Sequence, residues 1–352
     1  MLTPPTAYSS QYGGAGFRAG HLRLVLPSDG ELYEPTLAFL RACGISVERP
    51  SSRSYSAYIP GVPKIDVLFQ RTSDITQKVE EGSAELGITG LDRYLELRHE
   101  ASPVIPVIQD LGYGRCKLVL AVPASWLDVS SLSDLGDVAL DFRSQGKQLR
   151  IATKYPRLLQ SFLNRGGINY FSLIQASGSL EAAPMAGYAD LIADLTASGV
   201  TLRENGLKTL GDGSILSSQA CLVGNRKALK AHPDGLALAR ELLERIEGYL
   251  KGGTFYRLTA NVQGDSAESV SVRILSKPDL AGLQGPTISR VYNVDGQDWY
   301  SVSLLVRKEG ILDAVDHLRN AGARDVAASP VSYLFEHHCQ SYRNLVDALE
   351  DD

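Results

Sequence analysis

Residues 191–202 read LIADLTASGVTL, a short apolar run followed by small polar residues and a glycine. The apolar run predicts a strand that delivers Asp194 to its carboxyl end, the edge at which open α/β sheets bind ligands. Backbone N–H groups can approach an anion closely at Gly199, and a helix predicted to start near Leu202 adds partial positive charge. The stretch therefore predicts an anion-binding loop in an α/β protein.

This loop has the chemistry that a ribose 5-phosphate requires. A carboxylate can bind the ribose hydroxyls, while hydroxyl side chains and backbone N–H groups bind the phosphate. A helix cap without any ligand is the alternative, and the stretch alone does not exclude it. The predicted contacts to the sugar phosphate are Asp194, Thr196, Ala197, Ser198, Gly199, Val200 and Thr201.

Strands alternate with helices on both sides of this loop, which predicts a mostly parallel α/β sheet in each of two units. The chain then returns to the first unit through another apolar strand and a long helix, which ends at a Lys-Gly-Gly boundary. The predicted strands of the two units are residues 22–26, 65–69, 84–89, 117–122, 149–153, 170–175 and 220–223, and the helices are residues 34–43, 74–81, 156–164 and 235–250.

A different pattern begins at Phe255. Residues 271–275 and 301–306 are predicted strands, and residues 325–328 a shorter one. Between the second and the third of these strands, residues 309–320 form a predicted amphipathic helix. This pattern indicates a small α+β module of ferredoxin-like type, for which regulation and oligomerisation are equally good uses. The predicted buried face of the helix consists of Ile311, Leu312, Val315 and Leu318.

Composition excludes several classes of protein. With 352 residues the chain is long enough for two or three domains. Its net charge of −5 argues against a nucleic-acid-binding face, although a few local cations can still bind a small anion. No apolar run approaches the roughly 18 residues of a membrane helix. Residues 1–20 carry no apolar stretch suited to a signal peptide, so we expect a flexible tail and a cytoplasmic protein. The four cysteines are scattered along the chain, and we expect them to be reduced thiols.

Two arginines are candidates for binding a pyrophosphate. Arg71 directly follows the predicted strand at residues 65–69, and Arg53 lies in a polar stretch before it. Guanidinium groups bind phosphates bidentately, which suits a leaving group that gains charge. A solvated surface position is the more common use of a single arginine, and the strand-end position favours Arg71 over Arg53.

Other motifs give weaker signals. The turn at residues 87–92, GITGLD, can border a base or a phosphate, and GYGRC at residues 112–116 fits either such a site or a hinge. His337 and His338 lack a nearby third ligand in the sequence and are expected on the surface. Signatures of zinc proteases, serine hydrolases and P-loop nucleotidases are missing from the sequence.

Taken together, these motifs resemble those of the ATP phosphoribosyltransferases, the family that opens histidine biosynthesis. The similarity extends over about residues 22–335 and includes the C-terminal module. It is strongest over residues 181–202, where Gly187, Asp190, Asp194, Ser198, Gly199 and Thr201 are all in register.

The resemblance implies a long-form enzyme: two periplasmic-binding-protein-like α/β catalytic lobes plus a C-terminal ferredoxin-like (ACT-like) α+β regulatory domain that senses histidine. It also implies Mg2+ as cofactor and a homo-oligomer in equilibrium between dimer and hexamer, with no nucleic-acid or membrane partner. The predicted boundaries are residues 1–20 for the tail, 21–115 and 203–250 for lobe I, 116–202 for lobe II, 254–335 for the regulatory domain and 336–352 for an extension.

The implied reaction joins N1 of ATP to C1 of phosphoribosyl pyrophosphate and releases pyrophosphate. Such a reaction depends on positioning and on charge stabilisation around an oxocarbenium-like carbon. By resemblance, the loop at residues 194–201 binds the ribose phosphate, and Arg53 and Arg71 are the catalytic cations that face the pyrophosphate or the ATP phosphates. Glu181 and Asp190 are further predicted contacts to phosphoribosyl pyrophosphate, and Gly90, Leu91, Asp92, Asp29 and Glu31 border the ATP site.

One turn departs from the family pattern. After the first strand the family usually has Lys-Gly-Arg, whereas this chain has Asp29-Gly30-Glu31. At about 6 Å and an effective dielectric near 20, a unit charge contributes roughly 3 kcal/mol to the interaction with a phosphate, of either sign. Without a bridging Mg2+, substrate binding should therefore suffer. The alternatives are a catalytically impaired relative that binds nucleotide or histidine and regulates a partner, and a two-lobed small-molecule-binding protein.

Overall fold

The structure is a computed structural model that describes residues 20–51, 53–175, 179–280, 282–293 and 296–350. The predicted N-terminal tail, apart from its last residue, lies outside these ranges. The strands are β1 (Leu22–Pro27), β2 (Ser56–Tyr58), β3 (Ile65–Gln70), β4 (Leu86–Gly90), β5 (Val104–Ile108), β6 (Cys116–Pro123), β7 (Leu149–Thr153), β8 (Phe171–Gln175), β9 (Leu191–Thr196), β10 (Leu207–Ser218), β11 (Ala220–Asn225), β12 (Phe255–Gln263), β13 (Thr287–Val291), β14 (Trp299–Arg307) and β15 (Ala323–Pro330). The α-helices are α1 (Tyr33–Ala42), α2 (Thr72–Glu80), α3 (Leu91–Leu97), α4 (Leu132–Ser144), α5 (Pro156–Arg165), α6 (Val200–Glu204), α7 (Arg226–Lys230), α8 (Pro233–Gly252), α9 (Ala267–Leu275), α10 (Ile311–Asn320) and α11 (Gln340–Glu350).

Lobe I is built on a sheet with the strand order β2-β3-β1-β4-β11-β5. Four consecutive residues of β1 are buried, as expected of a strand in the middle of the sheet. In β3, which lies next to the edge strand β2, buried and half-buried residues alternate. The strand β1 runs parallel to both β3 and β4. Their carboxyl ends therefore meet at one edge of the sheet, where the turns after Pro27, Gln70 and Gly90 lie.

Lobe II is built on a sheet with the order β10-β6-β9-β7-β8. Within it β7 runs parallel to its neighbours β8 and β9, so Thr153, Gln175 and Thr196 end at a common edge. The predicted return to lobe I at residue 203 is too early. β10 pairs with β6 from Leu207 to Ser218 and covers its open edge, so the chain remains in lobe II until residue 218.

The chain crosses between the lobes twice. The outward crossing, residues 109–115, contains Gly112 and Gly114, both with a positive φ. A Cβ on Gly114 would lie 2.5 Å from the Leu32 side chain, so this position requires glycine. The GYGRC motif at residues 112–116 is thus part of the connection between lobes, and the return crossing lies between Ser218 and Ala220.

The C-terminal domain is an antiparallel sheet, β13-β14-β12-β15, packed against α9 and α10. The strand predicted at residues 271–275 is wrong, because these residues form the second half of α9. Ser266 and Ser269 make a capping box at the start of α9. Val270 and Ile274, one helical turn apart, are both fully buried, so the helical period rather than alternation decides the structure.

The predicted buried face of α10 needs one correction. Leu312 is 75% exposed, whereas Ala314 and Leu318 are buried together with His317. The helix begins only at Ile311, and the ring nitrogen Nε2 of His317 lies 2.7 Å from the carbonyl oxygen of Ile274 on α9. This contact between the two helices turns Leu312 towards solvent.

Residues 331–338 return from the C-terminal domain to lobe I, and we call this segment the strap. The Tyr333 and Phe335 rings stack at a centroid distance of 5.8 Å over α8. The backbone N–H of Leu334 donates to the carbonyl of Gly248. After the strap, α11 packs on lobe I, with Leu345 and Leu349 buried in its core. The predicted extension is thus an ordered second attachment of the C-terminal domain to lobe I.

Within the described ranges, the structure contains no helix long and apolar enough to cross a membrane. The longest, α8, contains seven charged residues among its twenty.

The close contact between α8 and the strap predicts that an added methyl group at Gly252 destabilises the protein. A Cβ on Gly252 would lie 2.8 Å from the backbone of Tyr333, so Gly252→Ala should lower the free energy of unfolding by about 1–3 kcal/mol. Gly136→Ala in α4 is the matched control, since its Cβ would meet Ile168 only at 3.8 Å. The control should be neutral or more stable by up to about 1 kcal/mol. Urea unfolding measures both, and equal effects would contradict the close packing.

Candidate functional site

The carboxyl edges of the two sheets lie against each other at the boundary between the lobes. Asp92 follows β4 in lobe I, and Tyr155 follows β7 in lobe II. The Tyr155 hydroxyl donates to Oδ2 of Asp92 at 2.7 Å, and both side chains are almost completely buried. The carboxyl end of β4 in lobe I and that of β7 in lobe II are thereby held next to each other.

The predicted phosphate loop follows β9 and turns at Gly199, whose φ is 72°. The Gly199 N–H donates to the Thr196 hydroxyl oxygen at 2.8 Å, which closes the loop on itself. Ala197, Ser198, Val200 and Thr201 are exposed, so the loop can be reached by a ligand. The helix α6 starts at Val200, two residues earlier than predicted, and has only five residues. Hydroxyl and N–H groups of the loop, rather than a long helix dipole, are therefore its donors.

Asp194 is half-buried beside this loop. Burial raises the pKa of its carboxyl above the ordinary value, while the Leu195 N–H, which donates to Oδ1 at 2.8 Å, acts in the opposite direction. The positive charges of Lys154 and Arg93 also lower this pKa, and the negative charge of Glu181 raises it. A desolvated carboxylate with nearby cations is suited to bind hydroxyl groups tightly.

Three residues near Asp194 were missed in the sequence: Lys154, Tyr155 and Arg93. Lys154 and Tyr155 directly follow β7, and Arg93 follows Asp92 at the start of α3. The Arg93 guanidinium lies over the Tyr155 ring at 4.5 Å. A signal was present for Lys154, because it follows a predicted strand in the same way as Arg71 does. Arg93 could not be found this way, since it reaches the site only through the contact between lobes.

The residues predicted to border an ATP site, Gly90, Leu91 and Asp92, lie at the lobe boundary. Asp92 is 4% exposed, and its Oδ1 accepts a hydrogen bond from the Ser218 hydroxyl at 2.6 Å. With Tyr155 on the other oxygen, this carboxylate is engaged between the lobes. A Cβ on Gly90 would overlap the Asp92 carboxylate, and the Leu91 N–H donates to the carbonyl of Gln219.

Asp190 lies at the opposite end of β9 from the loop. Its two carboxylate oxygens accept hydrogen bonds from the Arg150 guanidinium, at 2.8 Å and 3.2 Å, and Oδ2 also accepts from the Arg150 N–H. This pair joins the start of β9 to β7. Glu181, in the turn at residues 180–182, lies near enough to Asp194 to affect its pKa.

The remaining predicted residues lie at the lobe I edge and are exposed: Arg53, Arg71, Asp29 and Glu31. Pro27 pairs with Gln70, so the turn that holds Asp29 and Glu31 is beside Arg71. Arg53 precedes β2, the strand on the far side of β3. The structure therefore brings two carboxylates and one guanidinium to the same edge, with Arg53 farther out.

The described ranges contain no group of three or more His, Cys, Asp or Glu side chains that could hold a metal ion. Within these ranges, the carboxylates of Asp29 and Glu31 are a partial set of ligands that Mg2+ could use.

Comparisons with known proteins agree over almost the whole chain. The family model described as ATP phosphoribosyltransferase matches residues 71–248, and one described as HisG, C-terminal domain, matches residues 254–333. ATP phosphoribosyltransferase 1, chloroplastic, of Arabidopsis thaliana is 39% identical over 334 residues, which cover 93% of this chain and 81% of that protein. ATP phosphoribosyltransferase of Brucella anthropi is 46% identical over 208 residues, covering 58% of this chain and 90% of that protein.

Among solved structures, the ATP phosphoribosyl transferase (HisG:HisZ) complex from Thermotoga maritima contains a similar chain. It is 27% identical in sequence, with a TM-score of 0.49, and the match covers 64% of this chain and 98% of that one.

The burial of Asp194 predicts that its charge lowers stability. The pKa of Asp194 is raised in the folded state, so above the ordinary Asp pKa of about 4 the ionised carboxylate lowers the free energy of unfolding. At lower pH the carboxyl group is protonated in both the folded and the unfolded state, and this destabilisation disappears. Asp194→Asn should thus be more stable than the parent at neutral pH, with a difference that vanishes as the pH falls below that value. Urea unfolding across this range measures the difference.

Asp190→Asn is the matched control on the same strand. It breaks the ion pair with Arg150 and should lower stability at neutral pH. A loss of stability in both variants would contradict the assigned difference between the two carboxylates.

Proposed function

This chain belongs to the ATP phosphoribosyltransferase family, and from that membership we infer that it transfers the phosphoribosyl group of phosphoribosyl pyrophosphate to N1 of ATP, the first step of histidine biosynthesis. The observation that supports this most directly is the pairing of Asp194 with the open loop at residues 196–201, at a strand edge that borders the other lobe. A carboxylate and a cluster of small donors at one edge match the two ends of a ribose 5-phosphate.

We propose that lobe II holds the sugar. Asp194 accepts hydrogen bonds from the ribose hydroxyls, and the loop donors bind the 5-phosphate. In the transfer, the bond from C1 to the pyrophosphate oxygen breaks while the bond from N1 of ATP to C1 forms. The ring carbon gains positive charge on the way, and the buried carboxylate of Asp194 and the geometry of the cleft stabilise it.

We propose that lobe I receives the charged leaving group. Pyrophosphate gains negative charge as the bond to C1 breaks, and we assign its neutralisation to Arg71, which directly follows β3. Arg53 is a second, more distant cation for the same polyphosphate. Lys154 and Arg93, whose charges reach Asp194, add positive potential on the side of the ribose.

Mg2+ fits this arrangement as a companion of the substrate. It is typically bound through one or two protein carboxylates together with substrate phosphates. Asp29 and Glu31 are exposed at the edge that carries Arg71 and would supply such carboxylates. The ion would neutralise polyphosphate charge and reverse the repulsion that these two residues otherwise cause.

We propose that the C-terminal domain binds histidine and inhibits the reaction, and that the chain assembles into dimers and hexamers. The match of residues 254–333 to the family's C-terminal domain and the double attachment of this domain to lobe I support such a regulatory use. We also propose a cytoplasmic location. All four cysteines are unpaired thiols, as expected in a reducing compartment, and burial raises the pKa of Cys43 to about 12.

Turnover tests the activity. With ATP, phosphoribosyl pyrophosphate and Mg2+, the protein should release pyrophosphate and form an ultraviolet-absorbing product. Chelation of Mg2+ should stop the reaction, and histidine should slow it. Asp194→Asn should weaken the binding of ribose 5-phosphate by roughly 10- to 100-fold, as expected for loss of a charged hydrogen-bond partner. If no product forms at high enzyme concentration, the assigned reaction is wrong.

The charge of the turn at residues 29–31 can be tested separately. Asp29→Lys combined with Glu31→Arg should lower the KM for a polyphosphate substrate by about tenfold or more at limiting Mg2+, since each unit charge contributes roughly 3 kcal/mol near a phosphate. Saturating Mg2+ should reduce the gain. Asp137→Lys with Asp141→Arg, two exposed positions on α4, makes the same change in net charge and should leave KM unaltered. An equal gain in this control would assign the effect to net charge alone.

A further inference from the structure

The helix α5 of lobe II is capped by a side chain from lobe I. The two carboxylate oxygens of Glu96, in the last turn of α3, accept hydrogen bonds from the N–H groups of Arg157 and Leu158, at 2.9 Å and 3.0 Å. The first N–H groups of a helix have no partner within it and are normally satisfied by the preceding residue. Here that residue is Tyr155, which makes no side-chain cap. The cap of α5 is therefore supplied across the lobe boundary.

We infer that Glu96 is a positioning residue for the transfer reaction: by holding the N-terminus of α5, it sets how the ligand-bearing edge of lobe II faces lobe I. This inference rests on the activity proposed above. A carboxylate at a helix N-terminus is a charge-assisted contact that also interacts favourably with the helix dipole. It is thus stronger and more directional than a neutral contact between two surfaces.

The N-terminus of α5 carries residues that surround Asp194. Lys154 and Tyr155 directly precede the helix, and the charge of Lys154 lowers the pKa of Asp194. Arg93, which lies over the Tyr155 ring, also affects Asp194 and comes from the same helix as Glu96. A shift of α5 relative to α3 would therefore move the edge of lobe II, which carries both Lys154 and Asp194, relative to Arg93 and the edge of lobe I.

Each lobe is folded around its own core without this contact. Tyr94 anchors α3 in lobe I, whereas Leu159 and Leu163 anchor α5 in lobe II. Between the lobes the chain has two crossings, and the outward one contains the glycines Gly112 and Gly114. Loss of the Glu96 contact should accordingly change the angle and freedom between lobes while each lobe stays folded. Two other contacts link the same elements: the hydrogen bond from Tyr155 to Asp92, and the Arg157 guanidinium, which donates to the carbonyl of Leu95 at 2.7 Å.

The experiment compares Glu96→Ala and Glu96→Gln with Glu100→Ala, a control that removes an exposed carboxylate four residues further along. For Glu96→Ala we expect kcat to fall roughly 10- to 100-fold, because small displacements of reacting groups have effects of this size. Glu96→Gln keeps an acceptor and should lie between Glu96→Ala and the parent. Glu100→Ala should match the parent.

Ribose 5-phosphate separates positioning from folding. It carries only the groups assigned to lobe II, so calorimetry should show its affinity unchanged within about twofold in both Glu96 variants. A parallel loss of ribose 5-phosphate affinity and kcat in Glu96→Gln would show a merely structural role and overturn the inference. Unaltered kcat in both variants would also overturn it. Failure of the parent to turn over would instead contradict the proposed function itself.

Discussion

The hydrogen bond from Tyr155 to Asp92 joins two lobes that otherwise have separate cores. Both groups are removed from water, and Ser218 satisfies the second carboxylate oxygen. Burying a polar group costs free energy unless each of its hydrogen-bond partners is present. This network is therefore satisfied in only one arrangement of the two lobes, and it favours that arrangement over others. The strand ends that hold Asp194 in lobe II and Arg71 in lobe I acquire their relation to each other from it.

At Asp194 the proposed function and the stability of the fold have opposite requirements. Its partial burial disfavours the charged form, although the charged form is the one that the proposed contacts to ribose hydroxyls require. Lys154 and Arg93 offset part of this cost from either side of the lobe boundary. The carboxylates of Asp29 and Glu31 in lobe I are exposed, in contrast to that of Asp194. They lie beside Arg71, and solvent or a cation neutralises their charge.

The C-terminal domain is connected to lobe I by more than its linker. The strap lies on two glycines of α8, and Glu247 of the same helix accepts hydrogen bonds from the first N–H groups of α11. The end of α8 is therefore in contact with both segments that follow the domain. These contacts connect the C-terminal domain to the sheet of lobe I, because α8 packs directly against β1.

The sequence by itself determined the elements whose signals are local. Apolar runs located β9 and seven other strands of the two lobes but missed β2, β5 and β10, and the small residues after Asp194 identified the loop. The helix α9 was predicted as a strand, since only the packing of Val270 and Ile274 distinguishes the two periods. The tertiary structure alone decided which carboxylates face the cleft and which join elements. Asp92 meets Ser218 across 126 positions and Glu96 meets Arg157 across 61, so their partners are set by how two sheets pack and leave no pattern in neighbouring residues.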